Sequence, residues 1–397
     1  MFPLVLVLAL SAAPTFEVQP LDGPRVAGRL VGLDDKQVTL ETPAGRASLD
    51  IQKVASIAAA QKPAPLAAKV WIDLVEGSTL AAEEYTVHDG GARIALAGGD
   101  VLELPVREVA VVRLQNGPEP MAAQWARILN LKLQSDVLVV AKADSTDYHK
   151  GVLHDVTEKQ VRFELDGESL DVKRSKVYGL IYYHAAGQPP HEEACAVTDA
   201  GGSRWSARSL RFSDDKWEWT TAGGRTMRRA ADAVVAVDLS QGKIICLSDL
   251  KPDSATYTPY FGMEKELPAR LEFFRPRQDQ NMESKPLKIG GKTYPKGLWL
   301  HSRTEMVYTL PGRFSRFEAV AGIDDEVRPR GHVHLLIRGD DKVLVDTALR
   351  GTDKDQDKPN LITADLSGVR RLVILADYGD DLDVAGHLDL GNARLIK

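Results

Sequence analysis

The first part of the chain repeats one pattern of polar and apolar residues. Four short runs alternate with the period of a β-strand, and each is followed by a glycine-containing turn and a closing run rich in Val and Ile. The alternating runs cover residues 37–40, 93–96, 160–163 and 216–219. Val38, Ile94, Val161 and Trp217 anchor them at intervals of 56, 67 and 56 residues. A period of this length predicts four copies of one small, mostly antiparallel unit.

The longer middle interval contains a helical pattern. Its apolar residues recur at the spacing of one helix face, and they are Met121, Trp125, Ile128, Leu129 and Leu133. We therefore expect a helical insertion at 117–135 that packs on the array. The four repeats are expected at 21–61, 69–116, 136–186 and 192–248, and each resembles a small SH3-like or Sm-like barrel. Units of this size bury little apolar area alone, so we expect them to stack on their neighbours.

A polar, proline-containing segment at 249–254 predicts the end of the array. Beyond it, many short strand-like runs and turns, without a long helical pattern, predict a β-sandwich at 249–397. Two of these runs, 306–310 and 317–321, flank the turn Pro311-Gly312. The expected chain is therefore all-β, with tandem small barrels before one sandwich.

The order of motifs in this last third resembles the NPCBM family, carbohydrate-binding modules first noticed beside glycosyl hydrolases of family 98. The matching segments read GLWLHS at 297–302, YTL at 308–310, FEAVAGIDD at 317–325 and GHLDLGNARL at 386–395. Three positions depart from the family's usual pattern. Trp299 stands in place of a small residue, Leu390 in place of a Trp, and Gly386 in place of an Asp.

The resemblance implies a jelly-roll sandwich of the galactose-binding-domain type that binds a sugar on its loops. Sugar recognition needs an aromatic face for the apolar side of a pyranose and convergent polar groups for its hydroxyls. The candidates for sugar binding are Trp299, His301, Asp324, Arg328 and Tyr378. Two of them have a structural alternative. Trp299 is also compatible with the core, and His301 is equally compatible with a hydrogen bond that pins its strand to a neighbouring loop.

Acidic turns follow two of the predicted strands. Asp324-Asp325 forms one, and residues 377–383 contain four aspartates in the other. Loops rich in carboxylates suit Ca²⁺, which binds oxygen ligands, and the resemblance implies a structural Ca²⁺ in sandwiches of this type. The metal candidates are Asp324, Asp325, Asp381 and Asp383. A solvated acidic turn is the alternative.

Charge, the N-terminal composition and the cysteines narrow the class of protein. A formal net charge of −6 over 397 residues argues against a nucleic-acid surface, which needs clustered Lys and Arg. Residues 1–13 resemble the apolar region of a signal peptide, so we expect a secreted, periplasmic or cell-surface protein without a transmembrane segment. Cys195 and Cys246 are compatible with a disulfide and with two buried thiols.

The sequence contains none of the usual catalytic motifs. It has no nucleophile elbow, no phosphate-binding glycine loop and no paired-histidine zinc helix, although His191-Glu192 begins like the last of these. We therefore expect a non-catalytic glycan-binding protein whose repeat array is a spacer or a surface for a protein partner. The alternatives are a structural or protein-interaction module that has lost sugar binding, and a glycosidase whose carboxylates no motif reveals.

Overall fold

The computed structural model describes residues 14–61, 66, 68–142, 145–185, 193–260, 272–312, 314–352 and 360–397. These residues form two compact units, which divide between Gln241 and Gly242. The predicted signal peptide at 1–13 and the pair His191-Glu192 lie outside the described residues. In the described part of the chain, no helix is long and apolar enough to cross a membrane.

The first unit repeats one five-stranded motif four times. Repeat 1 comprises β1 (Thr15–Pro20), β2 (Val26–Leu33), β3 (Gln37–Thr42), β4 (Gly45–Asp50) and β5 (Val54–Ala59). Repeat 2 comprises β6 (Val70–Leu74), β7 (Thr79–His88), β8 (Gly91–Leu96), β9 (Val101–Pro105) and β10 (Val109–Arg113). Repeat 3 comprises β11 (Asp136–Ala141), β12 (Thr146–Val156), β13 (Gln160–Leu165), β14 (Glu168–Lys173) and β15 (Val177–Ile181). Repeat 4 comprises β16 (Cys195–Asp199), β17 (Arg204–Ser213), β18 (Lys216–Thr221), β19 (Thr226–Ala230) and β20 (Val234–Asp238).

All four copies share one antiparallel topology. The first strand pairs with the second and the fifth, and the third strand pairs with the second and the fourth. A single 3-10 turn connects the fourth strand to the fifth, at Ile51–Lys53, Val106–Glu108, Arg174–Lys176 and Ala231–Ala233. The relation of these units to SH3-like or Sm-like barrels stays a prediction.

Local sequence explains these strands. In β1 the inward residues Phe16 and Val18 are buried while their neighbours are not, as alternation requires. The turn after β2 is closed by Asp34, whose carboxylate accepts the backbone N–H groups of Lys36 and Gln37 at 2.9 and 2.8 Å. Each short turn therefore brings two half-buried strands into register.

The repeats pair in an order that differs from their order in the chain. β5 of repeat 1 pairs with β20 of repeat 4, with Ile57 opposite Val237. β10 of repeat 2 pairs with β15 of repeat 3, with Val112 opposite Leu180. All four residues are buried, so the two pairs of closing strands continue the hydrophobic core from one repeat into another.

Repeats 2 and 4 meet through the turns after their first strands. Ser78 Oγ accepts the backbone N–H of Ser206 at 2.9 Å, and Ser203 Oγ accepts the backbone N–H of Ala81 at 3.1 Å. The two serines hold equivalent positions and both are buried. The spatial order of the repeats is therefore 3, 2, 4, 1.

One α-helix lies between repeats 2 and 3, inside the predicted insertion. It is α1 (Glu119–Leu129), and its buried residues are Met121, Trp125 and Ile128. The Trp125 ring meets Tyr178 of repeat 3 edge-on, with the ring centroids 5.5 Å apart. Leu129 is largely exposed, so the buried stripe is narrower than the sequence pattern indicated.

The second unit is a β-sandwich, so the prediction of an all-β chain that ends in a sandwich is confirmed. One sheet contains, in spatial order, β23 (Arg277–Gln278), β26 (Gly297–His301), β33 (His387–Ile396), β28 (Arg316–Ile323) and β31 (Leu361–Asp365), with β21 (Ile244–Cys246) also paired to β33. The other contains β22 (Ser254–Tyr257), β27 (Thr304–Thr309), β32 (Arg371–Tyr378), β29 (His332–Gly339) and β30 (Lys342–Arg350). A separate hairpin is formed by β24 (Leu287–Ile289) and β25 (Lys292–Tyr294).

The division between the units precedes the boundary that the sequence predicted at residue 249. β21 reads as the end of repeat 4 by composition, but it pairs with β33 in the sandwich, Ile245 opposite Leu395. A 3-10 turn at Leu247–Asp249 follows it. Cys246 therefore belongs to the second unit and the buried Cys195 to the first.

Candidate functional site

The residues that carry the family resemblance lie inside the sandwich. β26 and β33 are neighbours in one sheet, with His301 opposite His387 and Trp299 opposite Asp389. Each of these four side chains is buried, as is Asp324 at the end of β28. The motif therefore forms a buried polar and aromatic cluster at one end of the sheet, and it contributes little to the exposed surface.

Trp299 is fully buried, so its ring is not accessible to a stacking sugar. It packs against Leu287, Ile289 and Tyr294 of the β24–β25 hairpin in a small hydrophobic cluster. Its indole meets the ring of His387 edge-on, with the centroids 5.0 Å apart. The sequence could not distinguish this position from a surface ring, because all five residues of β26 are buried and the strand lacks alternation.

His301 is buried in the same cluster. Its ring stacks on Phe274, with the centroids 3.9 Å apart and the planes 17° from parallel, and it lies 5.4 Å from the ring of Tyr257. Burial lowers the pKa of the neighbouring His387 to about 4, so that this imidazole is neutral at physiological pH. These contacts join the strand ends to the segments at 257 and 274, which is a structural role.

Asp324 and Asp389 are two buried carboxyl groups in this region. Burial raises the pKa of Asp324, against the opposing effect of hydrogen bonds from the Glu326 backbone and the Asn281 side chain. Burial and the charge of Asp324 together raise the pKa of Asp389 well above its ordinary value. Both shifts disfavour the state in which the two carboxyl groups are charged at the same time.

Asp325 holds the β24–β25 hairpin from the outside. Its two carboxylate oxygens accept the backbone N–H groups of Gly290 and Gly291 at 2.8 and 2.7 Å. Arg328 lies 3.6 Å from the same carboxylate and donates from Nε to the carbonyl of Gly351 at 3.1 Å. Arg328 is thus engaged with the loops beside it.

An exposed aromatic surface lies at the loop that follows β32. Tyr260, which is 44% exposed, meets Tyr378 nearly at right angles, with the ring centroids 5.2 Å apart. Asp383 accepts the backbone N–H of Tyr260 at 3.3 Å, and the Tyr378 hydroxyl donates to the carbonyl of Thr258 at 2.6 Å. We refer to Tyr260, Tyr378, Asp383 and the nearby Arg303 as the Tyr260–Tyr378 surface.

Ion pairs and hydrogen bonds fix the loop that carries this surface. Arg303 lies 3.4 Å from Asp377, and Arg350 bonds Asp380 at 2.6 Å. The buried His332 accepts the backbone N–H of Asp380 through Nδ1 at 2.7 Å. Because Asp377 and Asp380 are both held by these contacts, the backbone that carries Tyr378 is fixed and its ring has a defined orientation.

Both acidic and basic side chains lie around Tyr378. Burial, followed by the charge of Asp383, raises the pKa of Tyr378, while Arg303 opposes the shift. The phenol stays protonated at neutral pH and can donate its hydrogen bond. A ring with carboxylate and guanidinium groups beside it offers both an apolar face and polar partners.

The structure brings together only part of the predicted set. Trp299, His301 and Asp324 lie in the buried cluster, and Arg328 lies beside Asp325. Tyr378 lies on the exposed surface, where Tyr260 contacts both Tyr378 and the metal candidate Asp383. Among the described residues, no three of the four metal candidates place ligand atoms within binding distance of one another. Tyr260 was missed by the sequence analysis, because a single tyrosine after a proline carries no periodic signal.

Comparison with known proteins gives a family for the second unit. The model of the NPCBM/NEW2 domain matches residues 243–396. A protein of Renibacterium salmoninarum named "Putative endo-alpha-N-acetylgalactosaminidase" is 42% identical over 59 residues, which are 15% of this chain and 4% of that protein. The chain thus spans a small fraction of this curated relative.

Several solved structures are also similar. A CBM51 module of Clostridium perfringens GH95, in complex with methyl-galactose, is 21% identical, with 38% of this chain and 99% of that chain covered and a TM-score of 0.31. CBM51-2 with INT domains of Clostridium perfringens ZmpB, in complex with GlcNAc, is 17% identical, with 60% and 43% covered and a TM-score of 0.32. Tandem CBM51 modules of a Streptococcus pneumoniae family 98 glycoside hydrolase are 14% identical, with 66% and 88% covered and a TM-score of 0.30. By the match of the family model to nearly all of its residues, the second unit of this chain is an NPCBM/NEW2 domain.

Proposed function

We propose that this protein binds a glycan without acting on it, and that the ligand lies on the Tyr260–Tyr378 surface. The family of the second unit supports the class of ligand. The observation that favours this place is the exposed Tyr260 ring beside the fixed loop of Tyr378 and Asp383. The cluster around Trp299 lacks the exposed ring that stacking requires.

The chemistry of this surface suits a pyranose. The apolar face of a sugar ring can stack on Tyr260, while the carboxylate of Asp383 accepts from hydroxyls and the guanidinium of Arg303 donates to them. Arg303 pairs with Asp377 next to Tyr378, and Asp383 accepts the backbone N–H of Tyr260, whose ring meets Tyr378, so these groups border one surface. A shallow site of this kind binds weakly and depends strongly on its aromatic ring.

Truncation of Tyr260 tests the proposal. A glycan panel first identifies a ligand of the full-length protein, and calorimetry then compares wild type with Tyr260→Ala. We expect affinity to fall at least about fivefold, because a stacking contact contributes roughly 1 kcal/mol. The melting temperature should not change. Tyr148→Ala is the matched control, since Tyr148 is a similarly exposed tyrosine in repeat 3.

Two results would contradict this proposal. Undiminished affinity in Tyr260→Ala would place the sugar elsewhere on the domain. Failure of the wild-type protein to bind any glycan on a broad panel would favour the second candidate function, a structural or protein-interaction module. The burial of His301 and Asp324, which carry the family motif, is the observation in favour of that second candidate.

We also propose a Ca²⁺ ion in the acidic loops and export of the protein. Asp324 and Asp325 already accept backbone N–H groups, whereas Asp381 is exposed in the loop beside Asp383. The loop at 381–383 is therefore the more accessible candidate for the ion. Export rests on the apolar residues 1–13 and is tested by the mature N-terminus of the protein in the extracellular or periplasmic fraction. The repeat array is proposed as a spacer or a surface for a protein partner.

A further inference from the structure

Three side chains that can bind a metal meet where repeats 2 and 3 adjoin. His88 ends β7 and Asp89 follows it in the turn to β8, while Asp155 lies in β12 of the next repeat. The two strands contact each other at the bridge between Val87 and Val156. Residues from two different repeats are therefore brought to one place by tertiary structure.

The three side chains lie close enough together to share one ion, which only one of the two ring nitrogens of His88 would bind. His88 Nε2 lies 3.4 Å from Asp89 Oδ2, and His88 Nδ1 lies 3.9 Å from Asp155 Oδ1. One ligand atom from each residue lies within 4.8 Å of the others. Asp155 Oδ1 also accepts the backbone N–H of Asp89 at 3.2 Å, which holds this carboxylate beside the turn. Small side-chain rotations would bring all three residues to metal-binding distances.

A cleft opens at the same side chains. It has a volume of about 560 Å³, and His88, Asp155 and Glu158 are among its lining residues. His88 and Asp89 are exposed, so water can complete the coordination of an ion there. Glu158 offers a further carboxylate on the turn that follows β12. The cleft thus combines an imidazole with several carboxylates in a position that solvent reaches.

We propose that His88, Asp89 and Asp155 bind a divalent transition-metal ion that links repeat 2 to repeat 3. The imidazole decides the class of metal, because nitrogen ligands favour zinc and its neighbours, whereas Ca²⁺ and Mg²⁺ bind oxygen. Binding of such an ion also removes the repulsion between the two carboxylates. The ion would stabilise the junction, since the unfolded chain does not hold the three ligands together.

The competing interpretation is that the three side chains form only polar contacts with one another and bind no ion. Arg162 also lies 3.5 Å from Asp155 and competes for it. The two interpretations differ in one measurable respect, which is the affinity of the intact protein for zinc. Polar contacts alone give no binding of zinc.

Zinc titration of the full-length protein by calorimetry, supported by the visible absorption of bound Co²⁺, tests the site. We expect one ion per chain, and affinity roughly tenfold or more weaker in His88→Ala and in Asp155→Asn. His154→Ala is the matched control, because His154 is another exposed histidine of this region, 3.2 Å from Glu164. Its affinity for zinc should equal that of wild type.

Three results would overturn the site. The first is that wild type does not bind zinc at millimolar concentration. The second is that His88→Ala and wild type bind zinc with equal affinity. The third is that His154→Ala no longer binds zinc. Thermal unfolding gives a second readout, because zinc should raise the melting temperature of wild type and of His154→Ala but not of His88→Ala. Circular dichroism of each variant without metal shows whether it is folded.

Discussion

Replacement of Trp299 by alanine should destabilise the sandwich strongly. The indole is fully buried beneath the β24–β25 hairpin, in contact with Leu287, Ile289 and Tyr294. Truncation of a buried Trp typically costs about 3–5 kcal/mol, through lost burial and the cavity that remains. The expected loss for this fully buried ring lies in that range.

Urea denaturation of the full-length protein, followed by far-UV circular dichroism, measures this loss. Trp299→Phe is the matched variant, because it keeps an aromatic ring and most of the volume but loses the indole N–H. We expect it to cost much less than Trp299→Ala. Trp71→Ala is the control in the first unit, where the half-buried ring lies 5.9 Å from Arg113.

The reasoning would be refuted by an unchanged unfolding midpoint in Trp299→Ala. If that variant also bound glycan more weakly, the ring would be a stacking surface after all. If Trp299→Phe cost as much as Trp299→Ala, the volume of the buried ring would not account for the stability.

Three further outcomes are expected. Chelation of Ca²⁺ should lower the melting temperature of wild type but not of an Asp381→Asn, Asp383→Asn variant, and an equal melt with and without chelator would reject the ion. The pKa of His387 falls from 6.5 to about 4 on folding, so its contribution to stability is present above pH 6.5 and is lost as the pH falls towards 4. Between these pH values, the free energy of unfolding should therefore depend less on pH in His387→Gln than in wild type. An equal pH dependence in the two proteins would contradict the assignment. Gly386→Ala should destabilise by about 1–3 kcal/mol, because the new Cβ would lie 1.9 Å from Ser302 Oγ, and adding Ser302→Gly should recover part of the loss in a double-mutant cycle.

The strands within each repeat could be predicted from the sequence, whereas the pairing of one repeat with another could not. Alternation and turn residues identify runs such as 37–40 and 216–219 because each strand has one buried face. The closing strands of all four repeats have similar compositions, so composition alone cannot select β20 as the partner of β5. That choice depends on the packing of the whole unit.

For the candidate site too, some features could be predicted from the sequence and others could not. Tyr378 and Asp383 were found because the acidic turn is conspicuous, and the structure places them together. Trp299 and His301 were assigned to a surface because their residue types suit a sugar. The burial of Trp299 and His301 depends on the hairpin and strands that cover them. All five residues of β26 are buried, so the strand shows no alternation from which this burial could be predicted. Tyr260 becomes a candidate only through its contact with Tyr378.

The pairing of β5 with β20 has a consequence for synthesis of the chain. Repeat 1 emerges first, yet its closing strand gains its neighbour only when repeat 4 has been made. Until then β5 presents an open edge that can pair with strands of another chain. Contacts so distant in sequence slow folding, unlike those of a linear array in which each unit docks on the preceding one. Truncation before residue 234 should therefore leave a product prone to aggregation, even though three repeats are complete.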